Sequence, residues 1–86
     1  MFLFARRIIG MSNHYTNFIL KEIRRTVTFL GGHPEAVDDP SSAYRELERL
    51  TKDTWLLATV GTWKDGMNEL EVLNFLRDWN VQIPSR

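Results

Sequence analysis

The ten residues Thr54–Trp63, TWLLATVGTW, carry no charge and hold a tryptophan near each end. They follow Arg45–Asp53, the most charge-dense stretch of the chain, so polar sequence gives way abruptly to apolar sequence. A chain of 86 residues forms one domain at most and buries only about 60–65% of its unfolded surface. Such a segment is hidden either against the chain's own helices or against a second molecule.

As a strand, the segment has favourable residue types in Trp55, Thr59, Val60, Thr62 and Trp63, and Lys64-Asp65-Gly66 would serve as a hairpin turn. Strict alternation fails, because neither the odd nor the even positions give a clean apolar face. Leu56, Val60, Trp63 and Met67 recur instead at spacings of four and three, which is the helical period. With Leu57 on another side, the segment reads as a helix that is apolar nearly all round and belongs at the centre of a bundle. Gly61 costs such a helix about 1 kcal/mol relative to alanine; a close crossing by a neighbouring helix would account for it. Helix is the expectation. A short hairpin around residues 54–63, making the chain α+β, is the alternative.

The flanking sequence predicts a small all-α three-helix bundle, with helices near 13–30, 40–64 and 68–80. In the first, Ser12 or Asn13 caps the start and Gly31-Gly32 followed by Pro34 supplies the stop. Tyr15, Ile19, Ile23, Val27 and Leu30 form its apolar stripe, widened by Phe18 and Thr26, and Glu22 is placed to pair with Arg25. Asp39 caps the second helix, with Pro40 at the first helical position. Glu48 with Lys52 and Arg49 with Asp53 are i,i+4 pairs. Tyr44, Leu47, Leu50 or Thr51, Thr54 and Leu57 or Ala58 carry one face of this helix on into the apolar segment. Asn68 and Glu71 resemble a capping box for the third helix, flanked by Met67 and Val72. Leu70, Leu73, Leu76 and Trp79 follow at helical spacing, and the chain beyond Asn80 is expected to be extended. Residues 1–11 are read as an N-terminal extension and 12–86 as a single helical domain, with Met11 as a second possible start.

The net charge is zero, yet residues 1–32 hold Arg6, Arg7, Lys21, Arg24 and Arg25 against Glu22 alone, and the remainder carries the opposite excess. The plain expectation is attraction between the halves, within one chain or between two; the sharper one is a basic arm for nucleic acid or membrane. A hydrophobic fraction of 43% and a charged fraction of 26% argue against disorder. Cysteine is absent, which removes disulfides, thiolate metal sites and a cysteine nucleophile. The N-terminal run is interrupted by Arg6 and Arg7 and lacks a signal-peptide cleavage site. No stretch approaches the roughly 20 apolar residues of a membrane span, so a cytoplasmic protein is expected.

Few residues point to chemistry. His33, Glu35 and Asp38 share one loop, but zinc needs three or four ligands at fixed spacing, usually several of them His or Cys, and the calcium-loop pattern is missing. Carboxylates at i,i+2 on a helix, such as Glu46 and Glu48 or Glu69 and Glu71, point apart rather than across a cleft. Nucleophile elbows, phosphate-cradling loops and dinucleotide fingerprints are not found. A helix-turn-helix over 40–80 would present Glu69, Glu71 and Asp78 to the phosphate backbone with Arg77 as the lone cation, a poor reader of DNA.

The expected function is therefore a non-enzymatic interaction or regulatory module, self-associating through an apolar helical face as a homodimer or larger homo-oligomer. No catalytic residue, metal site or cofactor is assigned. Trp55, adjacent to the polar face of the second helix, is the best candidate for an exposed anchor. Leu56, Val60 and Trp63 are assigned to core or interface, and Arg24 and Arg25 to polar contact with an acidic protein surface. Nucleic-acid binding through the basic N-terminal third is the alternative.

Overall fold

The computed structural model describes the backbone of residues 2–82 and the side chains of residues 15–82. Four α-helices and no strand occur among the described residues, so the fold is all-α and the hairpin alternative is excluded. The helices are α1 (Phe2–Phe29), α2 (Pro40–Leu50), α3 (Thr54–Lys64) and α4 (Glu69–Gln82), with a 3₁₀ turn at Pro34–Ala36 before α2. The molecule measures 47 × 22 × 19 Å. Its long dimension is set by α1, whose 28 residues span about 42 Å at 1.5 Å per residue.

Helix α1 starts well before Ser12 and Asn13, which lie inside it. Nothing in Phe2–Met11 breaks a helix outright, since Gly10 only weakens one. The division at residues 11 and 12 falls where side chains lie outside the described residues. From Ile19 onward, α1 buries the expected stripe: Ile19, Ile23, Thr26 and Val27 are fully inside, while Phe18 turns outward. The glycine stop is present. Gly31 takes φ +82°, Gly31 N–H donates to Thr28 O and Gly32 N–H to Val27 O, which is a Schellman end. The same arrangement ends α3: Gly66 takes φ +90°, with its N–H on Trp63 O and the Met67 N–H on Thr62 O.

The expected 40–64 helix is two helices. Thr51 is extended (φ −143°) and its N–H closes α2 on Leu47 O. The Thr51 hydroxyl then accepts from Asp53 N–H at 3.1 Å, and Asp53 starts α3. Threonine and aspartate offer the backbone local hydrogen bonds that compete with helix continuation. This break takes Lys52 and Asp53 out of the helix, so the i,i+4 pairs expected with Glu48 and Arg49 do not form; Arg49 pairs with Glu46 instead. At the start of α4, Asn68 has φ +52°, a left-handed conformation unlike the extended one an N-cap takes. The expected capping box is thereby corrected. Helix α4 continues to Gln82 rather than stopping at Asn80, and its Leu70 faces outward; Ile83 and Pro84 lie outside the described residues.

The core gathers one face from each helix: Ile19, Ile23 and Val27; Ala43 and Leu47; Leu56, Val60 and Trp63; Val72, Leu73 and Leu76. Two polar knots hold its edges. Between α1 and α4, buried Asn80 donates from Nδ2 to Glu22 O (3.0 Å) and Glu22 Oε1 (3.1 Å). Its Oδ1 lies 2.6 Å from the Thr26 hydroxyl. Between α2 and the turn after α1, the Glu46 carboxylate accepts from His33 N–H at 2.9 Å and from both Arg49 Nε and Nη2. Each knot satisfies groups that would otherwise be buried without partners.

Two glycines behave oppositely. A Cβ on Gly61 would stand 3.4 Å from the Tyr44 ring, an ordinary contact, so the crossing of α2 and α3 does not demand glycine there. A Cβ on Gly32 would strike Leu50 and lie 2.8 Å from Glu46 Oε2. Gly61→Ala is expected to stabilise the fold by up to about 1 kcal/mol, and Gly32→Ala to cost about 1–3 kcal/mol; urea midpoints of the two variants read both effects.

The hydrogen bonds from Arg49, and then from His33 N–H, hold the Glu46 carboxyl down to about 2, against an ordinary 4.5. A carboxyl lowered on folding contributes stability above its unfolded pKa and loses it as pH falls through the folded one. The Glu46 contribution should be intact above about pH 4.5 and decline towards about pH 2. Glu46→Gln should cost about 1–3 kcal/mol at neutral pH, with the gap to the parent narrowing across that acid window in chemical denaturation.

Candidate functional site

Asp53 fixes how α3 sits. Its Oδ1 accepts from the N–H groups of Trp55 and Leu56, both at 3.1 Å, capping the helix start. Its Oδ2 lies 3.4 Å from the Trp79 indole nitrogen on α4. With its start pinned to α4, α3 turns Leu56, Val60 and Trp63 into the core. Leu57, partly buried, packs against that core, and Gly61 faces Tyr44 of α2. Besides Thr54 and Lys64 at its ends, α3 turns outward Trp55, Ala58, Thr59 and Thr62, the i, i+3, i+4, i+7 set of one helix face.

Trp55 is 72% exposed, the most exposed large apolar side chain among the described residues. Together with Thr54, Ala58, Thr59 and Thr62 it lines a shallow open depression. Thr59 and Thr62 also form one wall of a smaller notch of about 120 Å³ between α3 and α4, whose other wall is Asn68, Glu71 and Val72. Depression and notch form one continuous strip with an aromatic knob at the Asp53 end and a recess at the Gly66 end. The hydroxyls of Thr59 and Thr62 donate back to Trp55 O and Ala58 O, both at 2.9 Å, which occupies their protons and leaves methyl-rich, low-relief surface. Trp79 donates to Asp53; among the described residues no acceptor meets the Trp55 indole N–H.

The residues expected to meet a partner thus separate. Leu56, Val60 and Trp63 are buried within the monomer, whereas Trp55 stands outside. Arg24 grips the loop before α2, donating from Nε (3.1 Å) and Nη2 (2.8 Å) to Val37 O. Arg25 is exposed and lies 3.7 Å from Glu22. Arg24 and Arg25 are on α1, and neither lines the Trp55 strip. The side chains of Arg6 and Arg7 lie outside the described residues. Reading by apolar spacing alone missed Ala58, Thr59, Thr62, Asn68 and Glu71; the helical spacing of 58, 59 and 62 from Trp55 was the available signal. His33 Nδ1 is 3.3 Å from Glu35 Oε2, and no group of three or more His, Asp or Glu side chains able to hold a metal ion occurs among the described residues. Among those residues no helix is long and apolar enough to cross a membrane.

No family model, curated protein or solved structure matches the chain.

Asp53 and Trp55 should part company in stability measurements. Asp53→Ala removes the cap and is expected to cost about 0.5–2 kcal/mol. Trp55→Ala removes a side chain the core does not use and should stay within about 0.5 kcal/mol of the parent. Thermal melts followed by circular dichroism compare them directly.

Proposed function

We propose that the protein is a non-enzymatic interaction module that self-associates through the outward face of α3. The observation that carries this reading is Trp55, held 72% exposed on a capped, well-packed helix and surrounded by small side chains rather than by charge. Tryptophan is over-represented among residues that dominate binding energy, because a large rigid surface is buried at little entropic cost. Leu56, Val60 and Trp63 serve this function indirectly, by anchoring the helix that presents the tryptophan. Arg25 is the basic side chain of the earlier pair left on the surface; Arg24, engaged with Val37 O, positions the loop before α2.

Nucleic-acid binding through the N-terminal third draws less support, since Arg24 is engaged with Val37 O and Arg25 faces Glu22. Sedimentation equilibrium on the full chain tests the main reading. Reversible association with a dissociation constant on the order of 1–100 µM is expected, as for a contact at the small end of interface sizes. Trp55→Ala should weaken it at least about tenfold, the equivalent of roughly 1.4 kcal/mol. A parent chain that stays monomeric at several times about 100 µM, or association indifferent to Trp55→Ala, would remove the proposal.

A further inference from the structure

The geometry points to one mode of self-association: two copies of α3 packed antiparallel about a two-fold axis between Ala58 and Thr59, each Trp55 entering the other copy's α3–α4 notch. This rests on the reading of the α3 face given above and adds the occupant's orientation. A closed dimer needs one patch that is complementary to itself. The strip provides that, because its knob (Trp55) and its recess (Thr59, Thr62, Asn68, Glu71, Val72) lie at opposite ends of the same helix. Trp55 and Thr62 are seven residues apart, about 10 Å along the axis. Turning a second copy end to end therefore sets knob over recess twice.

Three further features fit. Ala58 and Thr59 at the crossing point are small, which lets two helix axes come within about 8–10 Å. The notch, at about 120 Å³, admits part of an indole ring, and Glu71 on its rim offers a carboxylate to the indole N–H, which meets no acceptor among the described residues. In this register Lys52 of one copy is level with Asp65 of the other; both are exposed, and the start of one α3 lies beside the end of its mate. Opposite charges and opposed helix dipoles thus meet at both ends.

The absence of cysteine makes a clean test possible. A disulfide closes only when the two Cα atoms are within about 7 Å. Residue 58 sits almost on the proposed axis, whereas two copies of residue 54 would be about 13 Å apart along it. Ala58→Cys and Thr54→Cys, both at exposed positions, are oxidised separately as full-length protein at a concentration where the parent associates. Ala58→Cys should yield covalent dimer, Thr54→Cys should not, and adding Trp55→Ala to Ala58→Cys should sharply lower the yield. Glu71→Gln should weaken association a few-fold while lowering the monomer's thermal melt only slightly, since Glu71 lies in the first turn of α4. Cross-linking through residue 54, or none through residue 58 in a chain whose association still needs Trp55, overturns the antiparallel mode and leaves the contact face standing. A monomeric parent takes both away.

Discussion

The Asp53 carboxylate is the interaction on which the arrangement of α3 depends. One oxygen receives two backbone N–H groups of the first turn and the other faces the Trp79 indole. Cap and a tertiary contact to α4 are made by one side chain. The consequence is a change of phase. Leu47 and Leu56, both fully buried, are nine residues apart, about two and a half turns. In an unbroken helix they would lie on opposite sides. The extended residue Thr51 and the cap at Asp53 reset the rotation, so that both leucines enter one core and Trp55 is carried outward.

The second constraint lies between α1 and α4. Apolar packing between α1 and α4 is non-directional and would accept a sliding register; the Glu22–Thr26–Asn80 knot is not so tolerant. Asn80 has a donor side meeting Glu22 and an acceptor side meeting the Thr26 hydroxyl. A shift of one turn would leave these groups buried and unpaired, at about 1–3 kcal/mol each. Glu46 acts in the same way at the end of α1, joining His33 N–H to Arg49. A side chain at Gly32 would meet Leu50 first and then the Glu46 carboxylate.

Helix existence was readable from the sequence wherever the apolar period was clean. The Ile19–Ile23–Val27 stripe, the glycine stop at Gly31, the Asp39-Pro40 start and the helical character of 54–63 all stand in the structure. The break at Thr51–Asp53 was not readable by period alone, because Leu50, Thr54 and Leu57 continue an apparent face across it. Only the incompatible phases of Leu47 and Leu56 reveal it, and using them requires knowing that both are buried. The candidate site was half readable for the same reason. Trp55 stood out by residue type, but the recess opposite it is made of Thr59, Thr62, Asn68, Glu71 and Val72, of which Val72 alone carries an apolar signal. Its existence depends on where α4 lies against α3.

A lone exposed tryptophan is not in itself unusual on a protein surface. Position 55 differs because the fold gains nothing from its side chain: Asp53 supplies the cap through the Trp55 backbone, and Leu56 supplies the burial. At 72% exposure the ring leaves on the order of 150 Å² open, about 3–4 kcal/mol of gross burial energy per copy. Two such rings give roughly 7 kcal/mol against an association cost of about 4–15 kcal/mol. Trp55 alone therefore does not make a tight complex. Contact along Ala58, the threonine methyls and Val72 supplies the remainder, and the strip is short because α3 has eleven residues. A small apolar face of this kind favours reversible pairing, in which the monomer stays folded when the partner leaves.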